Sequence, residues 1–443
     1  MAVILSGAAS GTLLGRTNSD GDTMDLSIPT AVGVTPKCRH CGHDLTLKLI
    51  DLGLSPVAND YIDPANYMKA EPFYPLETFV CRECRLAQTR DLLAASEIFR
   101  ADYAYFSSHS TSWLEHARSY VDAMAGRFKL GPASRHVEIA SNDGYLLQYS
   151  IKKGVNCLGV EPCESVALAA RDKGIETRIA FFGGAYASEL RGEGWSADLI
   201  TANNVLAHVP DINDFVGGVK TLLAPEGVAT FEVQHLLTLM QRHQFDTIYH
   251  EHFSYLSLIA GQRIFARAGL RVFDVELPET HGGSIRFFVC HQQASHPESP
   301  NVADVLARER TYGLHDDAIY VAWNESVKET KRALLDLLTA LKRDGKKVVG
   351  YGAPAKGVTL LNYCGVRTDF LDFTVDRAPS KQGRYMPGVR IPILPPEAIV
   401  EARPDYVLIL PWNIKNEIKA QMAEVRSWGG RFIVPVPKAT IED

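Results

Sequence analysis

Two short cysteine turns, Cys38-Arg-His-Cys41 and Cys81-Arg-Glu-Cys84, constrain this 443-residue chain more tightly than any other feature. Each turn presents two thiols, and two such turns brought together supply the four sulfurs of a tetrahedral structural zinc site. A redox Cys-x-x-Cys needs no second copy, and the surroundings KCRHCG and VCRECR are too polar for thiols that serve only as packing. The 39 residues between the pairs exceed the common ribbon spacing of roughly 15–20, so the insert should form a small sub-structure. Four protein ligands leave no open position, and the metal is expected to be structural. The other cysteines, at 157, 163, 290 and 364, are scattered. That is not a disulfide scaffold, and it suits a reducing cytoplasm.

Composition narrows the class. The chain is 46% hydrophobic and 22% charged, with a net charge of −6, as ordinary soluble proteins are. An acidic balance argues against nucleic-acid binding through a basic surface. No apolar run reaches the ~18 residues of a membrane span. The start, MAVILSGAASGTLLG, lacks the basic region of a signal peptide, and residues 1–34 read as a flexible tail.

Beyond a zinc-binding domain at 35–100, short β-rich runs alternate with helical segments: HVEIASN, NCLGVEP, ADLITANN, GVATFEV, LRVFDVE and SIRFFVC. Alternation of this kind implies an α/β fold with a mostly parallel, doubly wound sheet. The last two runs should form an antiparallel edge. This central Rossmann-like domain is placed at 101–300, led in by the helical stretch STSWLEHARSYVDAMAGRF. A helical connector at 301–345 precedes a second, C-terminal Rossmann-like domain at 346–443, opened by VVGYGAPAKG.

The first strand of the central domain runs into VEIASNDGYLLQ, where a doubly wound fold binds its ligand. Only Gly144 stands where a dinucleotide loop would carry several glycines, so a pyrophosphate is disfavoured. Glu138, Ser141, Asn142 and Asp143 instead suit a ligand with cationic groups. S-adenosylmethionine, with a sulfonium and an ammonium, fits better than NAD. Glu161 ends the second strand in LGVEP, where a carboxylate can accept ribose hydroxyls. Asn203 and Asn204 end a later strand, with His208 close behind.

The stretch TIYHEHFSYLSL places Tyr249, His250, Glu251 and His252 in a row. A zinc-protease helix would set its histidines one turn apart, whereas residues two apart are splayed by about 200°. A dense Tyr/His/Glu cluster at the strand ends can instead hold a base near an acidic C–H. In the C-terminal domain, GYGAPAKG with Lys356, and more weakly RYMPG with Arg384, are candidates for binding a diphosphate.

From Cys38 to Pro437 the chain resembles the bacterial deoxysugar C-methyltransferases, which act on nucleotide-linked 4-ketohexoses. The match rests on both cysteine pairs and on DYAYFSSHSTSWLEHA, EIASNDGYLLQ, NNVLAHVPDINDF, FDTIYHEHFSYLSL, THGGSIR, GYGAPAKG and VLILPWN. The resemblance implies three domains, with the sugar nucleotide between the last two. It implies a constellation of Tyr249, Glu251 and His252 with His208 nearby, and His250 beside them facing substrate. Tyr103 and Tyr105 fall in a segment covering the active site. On this reading His252 removes the proton beside the ketone, Glu251 orients or charges it, and Tyr249 or His208 bonds the developing enolate. The expected substrate is a dTDP-linked sugar, methylated at C3 rather than C5, in deoxysugar biosynthesis for a natural product. No nucleic-acid or membrane partner is expected, and three mutually covering domains favour a monomer. An NAD-dependent sugar-nucleotide oxidoreductase would need a multi-glycine loop that neither α/β domain supplies. A non-catalytic zinc protein would show erosion of the donor loop or of the Tyr-His-Glu-His cluster.

Overall fold

A computed structural model of the chain describes residues 35–93 and 106–443. Tyr103, Tyr105 and the 1–34 tail lie outside the described residues. Pro36–Asp443 forms one compact unit.

The N-terminal module is an antiparallel sheet of β1 (Leu47–Ser55), β2 (Tyr74–Val80) and β3 (Ala87–Thr89). Both cysteine pairs sit on tight turns, and the residue after each pair, Gly42 or Arg85, adopts a left-handed conformation (φ 78° and 61°). The sheet does not end with the module. Its fourth strand, the short β9 (Ser254–Tyr255), comes from the stretch TIYHEHFSYLSL and pairs with β3. Residues expected to serve only the central domain are thus tied by their backbone to the zinc module.

Helix α1 (Thr111–Phe128) leads into the central domain, its first turn capped by Ser110 Oγ accepting from the Trp113 amide. Then come β4 (Arg135–Ile139), α2 (Leu147–Lys152), β5 (Asn156–Glu161), α3 (Glu164–Asp172), β6 (Thr177–Ile179), α4 (Gly184–Gly192), β7 (Ala197–Asn203), α5 (Ile212–Leu222) and β8 (Leu223–Gln234). Helices α6 (Leu236–Gln241) and α7 (Leu258–Arg267) flank the Tyr-His-Glu-His stretch, and β10 (Leu270–Glu276) and β11 (Ser284–His291) follow. The sheet order is β10-β11-β8-β7-β4-β5-β6, with β11 antiparallel between β10 and β8 and the rest parallel. The order reverses between β4 and β7, and the carboxyl ends there form the crevice where such sheets bind ligands.

The connector is two helices, α8 (Pro300–Tyr312) and α9 (Asp317–Arg343). Tyr320, Trp323, Val327, Leu334, Leu338 and Leu341 recur at helical spacing on α9 and are buried, so it packs as a strut rather than spanning solvent. The C-terminal domain runs β12 (Val348–Tyr351), α10 (Ala355–Cys364), β13 (Thr374–Val375), β14 (Ile393–Leu394), β15 (Tyr406–Ile409), β16 (Arg431–Val434) and β17 (Thr440–Glu442). Its order, β14-β13-β12-β15-β16-β17, is that of a Rossmann sheet. One hydrophobic cluster runs from Leu49 and Leu76 through Phe245 and Trp323 to Leu360 and Ile433. It joins the three parts. Among the described residues no helix is long and apolar enough to cross a membrane.

Candidate active site

The four module cysteines converge. Cys38 Sγ lies 3.5 Å from Cys84 Sγ and Cys41 Sγ 3.4 Å from Cys81 Sγ, and all four sulfurs lie within 4.8 Å of one another. Tetrahedral Zn–S bonds of about 2.3 Å require sulfur separations of this size, so the residues fit the ion.

At the crevice, backbone strain marks the strand ends. Ala140, Asn142 and Asn204 adopt left-handed conformations (φ 53°, 50° and 56°); asparagine visits this region readily, whereas alanine holds it only where its surroundings enforce it. The Glu161 carboxylate accepts from the Asn142 and Cys163 amides, at 2.9 Å each, and so shapes the loop. Burial raises its pKa and lifts that of Glu138 well above the ordinary carboxylate value. Asp143 accepts from Lys173 (2.9 Å) and from Ser108. Among the described residues, Glu138 Oε2, Ser141 Oγ, Asp143 Oδ1 and both side-chain polar atoms of Asn203 are buried without a partner. Orphaned donors and acceptors are rare in protein interiors. Gathered at the switch point, they fit a ligand with ammonium, carboxylate and hydroxyl groups. Gly144 is held to glycine by φ 75° and by Ile175 Cδ1, 2.2 Å from where a Cβ would stand.

The Tyr-His-Glu-His stretch divides its side chains between two faces. His252 Nδ1 lies 2.7 Å from the Thr247 carbonyl, and His208 Nδ1 2.8 Å from the Glu251 carbonyl. A carbonyl only accepts, so each Nδ1 carries the proton and each Nε2 is left as the basic atom. The two rings stand edge to face at 4.7 Å, and the Tyr249 ring lies 4.0 Å from that of His252. Burial, and then the neighbouring His208, hold His252 well below the usual imidazole pKa, and burial takes His208 down to about 4. Both are neutral at physiological pH.

Glu251 points elsewhere. Both its oxygens accept from Asn59 Nδ2 of the zinc module (2.7 and 2.9 Å), and burial pushes it up to about 7, against the opposing pull of Asn59 and Lys381. It is the Thr247 carbonyl, not Glu251, that orients His252. His250 is buried against β2, with Nε2 3.3 Å from the Pro75 carbonyl and its ring edge-on to Tyr74, so it faces away from the His208–His252 pair. Arg384 lies on an exposed turn.

Lys356, at the first turn of α10, does reach the cleft. Its Nζ donates to Asn413 Oδ1 (2.8 Å) and lies 4.4 Å from the centre of the Trp412 ring. Burial lowers it to about 8, with Asp246 opposing. His281, from the THGGS run, was not singled out by sequence reasoning. It holds φ 55°, faces Asn204 Nδ2 at 3.1 Å and meets the Trp113 ring edge-on at 5.1 Å. Its loop is anchored by Glu232, a fully buried carboxylate that binds Thr280, His116 and Arg286. Two adjacent glycines after a histidine were the available signal.

Three family matches tile the chain: a zinc binding domain over residues 38–99, a methyltransferase domain over 112–275 and a C-methyltransferase C-terminal domain over 279–437. The chain is 37% identical over 405 residues to C-methyltransferase NovU of Streptomyces niveus, covering 91% of this chain and 96% of that protein. It belongs to the C-methyltransferase family. Solved structures similar to it include magnesium protoporphyrin IX methyltransferase of Synechocystis PCC 6803 (12% identical, 40% of this chain and 83% of that one, TM-score 0.33). Another is an S-adenosylmethionine-dependent methyltransferase of Clostridium acetobutylicum ATCC 824 (16% identical, 44% and 95%, TM-score 0.33). This C-methyltransferase carries a methyltransferase domain and an N-terminal zinc-binding module whose four cysteines converge. The crevice with its orphaned polar atoms is where the chain's own residues fit the methyl donor.

Proposed function

We propose that this C-methyltransferase acts on a nucleotide-linked 4-keto-deoxyhexose, with dTDP as the nucleotide and C3, rather than C5, as the carbon methylated. The observation that carries the reading is His252. Its tautomer is set by the Thr247 carbonyl, and its basic Nε2 has no partner among the described residues, at the edge of the donor crevice. A neutral imidazole held in this way is suited to take a proton from a carbon beside a ketone. The C–H electron pair moves into a carbon–carbon double bond as the carbonyl pair moves onto oxygen. The donor, when bound, offers a methyl on a sulfonium, and the enolate carbon takes that methyl while the S–C pair stays on sulfur. His252 then releases its proton to solvent.

His208 and Tyr249 flank the base and are assigned to holding the sugar, with Lys356 as a further substrate-binding group. Glu138, Ser141, Asn142, Asp143, Gly144, Glu161, Asn203 and Asn204 are assigned to the donor. Glu251 belongs to the catalytic set through the carbonyl it gives His208 and through a carboxyl that titrates near neutrality. The enzyme is taken to work as a cytoplasmic monomer in deoxysugar biosynthesis for a natural product. Incubation with S-adenosylmethionine and a dTDP-4-keto-6-deoxyhexose tests the substrate. One methyl gained on the sugar, located by NMR at C3, is expected. A methyl on oxygen or nitrogen, or none with the nucleotide bound, would refute the reading.

A further inference from the structure

We propose that Lys356 is a further catalytic residue, its ammonium hydrogen-bonding the substrate's keto oxygen as that oxygen becomes an enolate. This role rests on the ketone substrate proposed above and replaces the diphosphate anchor that GYGAPAKG suggests from sequence.

The turn after β12 is closed to an anion. A Cβ on Gly352 would stand 2.5 Å from Pro411 Cδ, so the loop after β15 fills the approach. The Ala353 amide is taken by Asp376 Oδ2 (2.7 Å), and the Gly357 and Val358 amides by the Pro354 carbonyl. Asp376 also accepts from the Ala378 amide and pairs with Lys381 at 3.9 Å, while the Lys381 ammonium donates to the Ala353 carbonyl, so the polar groups of the turn are engaged with one another.

Lys356 is directed toward the catalytic stretch instead. Thr359, one turn further along the same face of α10, donates to the Ile248 carbonyl at 3.0 Å, immediately before Tyr249. Trp412, beneath the Lys356 ammonium, donates to Asp246 Oδ2 at 2.6 Å and packs where a Cβ on Gly282, beside His281, would stand. Lys356 thus approaches the catalytic stretch from the C-terminal domain, near enough to His252 and His281 for its charge to lower both. An ammonium has three protons, and among the described residues one is used, on Asn413. Placing the remaining donors on a ketone oxygen in a water-poor cleft stabilises the charge that develops there. The lysine forms this hydrogen bond without giving up its proton, and when the carbon is methylated the carbonyl re-forms.

The groups facing Lys356 are Asp246 beneath it and His252 and His281. Burial lowers Lys356 to about 8, so turnover should fall as pH rises past that value.

Lys356→Met and Lys356→Arg test the assignment. Exchange of substrate C–H for deuterium is followed at saturating dTDP-4-keto-6-deoxyhexose with S-adenosylhomocysteine, alongside kcat and the affinity for dTDP alone. Lys356→Met should slow exchange and kcat by about 10²–10³-fold, the usual loss for one oxyanion donor, with dTDP affinity within twofold. Lys356→Arg, which keeps its charge, should move the alkaline fall in kcat upward. The proposal is overturned if Lys356→Met weakens dTDP tenfold or more and leaves exchange and kcat at saturation intact, the pattern of a diphosphate anchor. An alkaline fall unmoved in Lys356→Arg also overturns it. No exchange in the unmodified enzyme with dTDP bound refutes the ketone substrate itself, and the keto-oxygen role with it.

Discussion

Replacing Glu251 with glutamine should stabilise the protein at alkaline pH. Glu251 is 3% exposed, and its carboxyl is moved by burial from an ordinary 4.5 to about 7. Below pH 4.5 the group is protonated in both the folded and unfolded chain, and folding meets no penalty. As pH rises from there through 7, the unfolded chain releases the proton first, so stability is lost across that window. By pH 8 the loss amounts to about 3 kcal/mol, from ~1.36 kcal/mol per pKa unit. Glutamine has the same shape, still accepts from Asn59, and never ionises. The variant and the unmodified enzyme should therefore melt together near pH 5. At pH 8 the variant should melt higher by about 3–4 °C, taking ~2.1 cal/mol/K per residue over roughly 400 residues. Scanning calorimetry at both pH values measures the offset, and groups common to both proteins cancel. A variant less stable at pH 8, or an offset equal at pH 5 and pH 8, would refute the reasoning.

Other perturbations have equally definite outcomes. Arg286→Ala leaves the buried Glu232 carboxylate without its charged partner and should cost about 3–5 kcal/mol, read as a lower melting temperature; an unchanged melt would show that His116 and Thr280 suffice. Cys38→Ser removes one of the four cysteines that fit a zinc ion, so metal analysis should find one zinc per chain in the unmodified enzyme and none in the variant, whose activity should also be lost. Retention of both would contradict a closed structural site. Glu161→Ala frees the Asn142 and Cys163 amides and should weaken S-adenosylhomocysteine at least tenfold by titration calorimetry. Unaltered affinity would remove Glu161 from the donor site.

The sequence was most informative where a local pattern has one physical solution. Two Cys-x-x-Cys turns have one good use, and their sulfurs do converge. Alternating strands and helices led to the central sheet, and Glu161 and Asn203 stand at strand ends as expected. What stayed hidden depended on partners distant in sequence. Nothing in TIYHEHFSYLSL says that Ser254–Tyr255 will extend the zinc module's sheet, because a two-residue strand has no periodicity of its own. Adjacent residues on an irregular loop can face opposite ways. His252 turns to the cleft while His250 and Glu251 turn to Pro75 and Asn59. Lys356 was noticed beside glycines, but its direction is set by Trp412 and Asn413, 56 and 57 residues on. The zinc-module strands β1 to β3, and β6, β14, β16 and β17, are likewise absent from the sequence reading; β3, β6, β14 and β17 span only two or three residues each.

The central claim is that His252 generates an enolate beside the sugar ketone. Deuterium incorporation from D₂O tests it without methyl transfer, using a dTDP-4-keto-6-deoxyhexose, S-adenosylhomocysteine, and the unmodified, His252→Ala and His208→Ala proteins. The account predicts exchange at one carbon next to the ketone in the unmodified and His208→Ala proteins, and none in His252→Ala. Exchange that persists in His252→Ala, or that disappears only in His208→Ala, would contradict it.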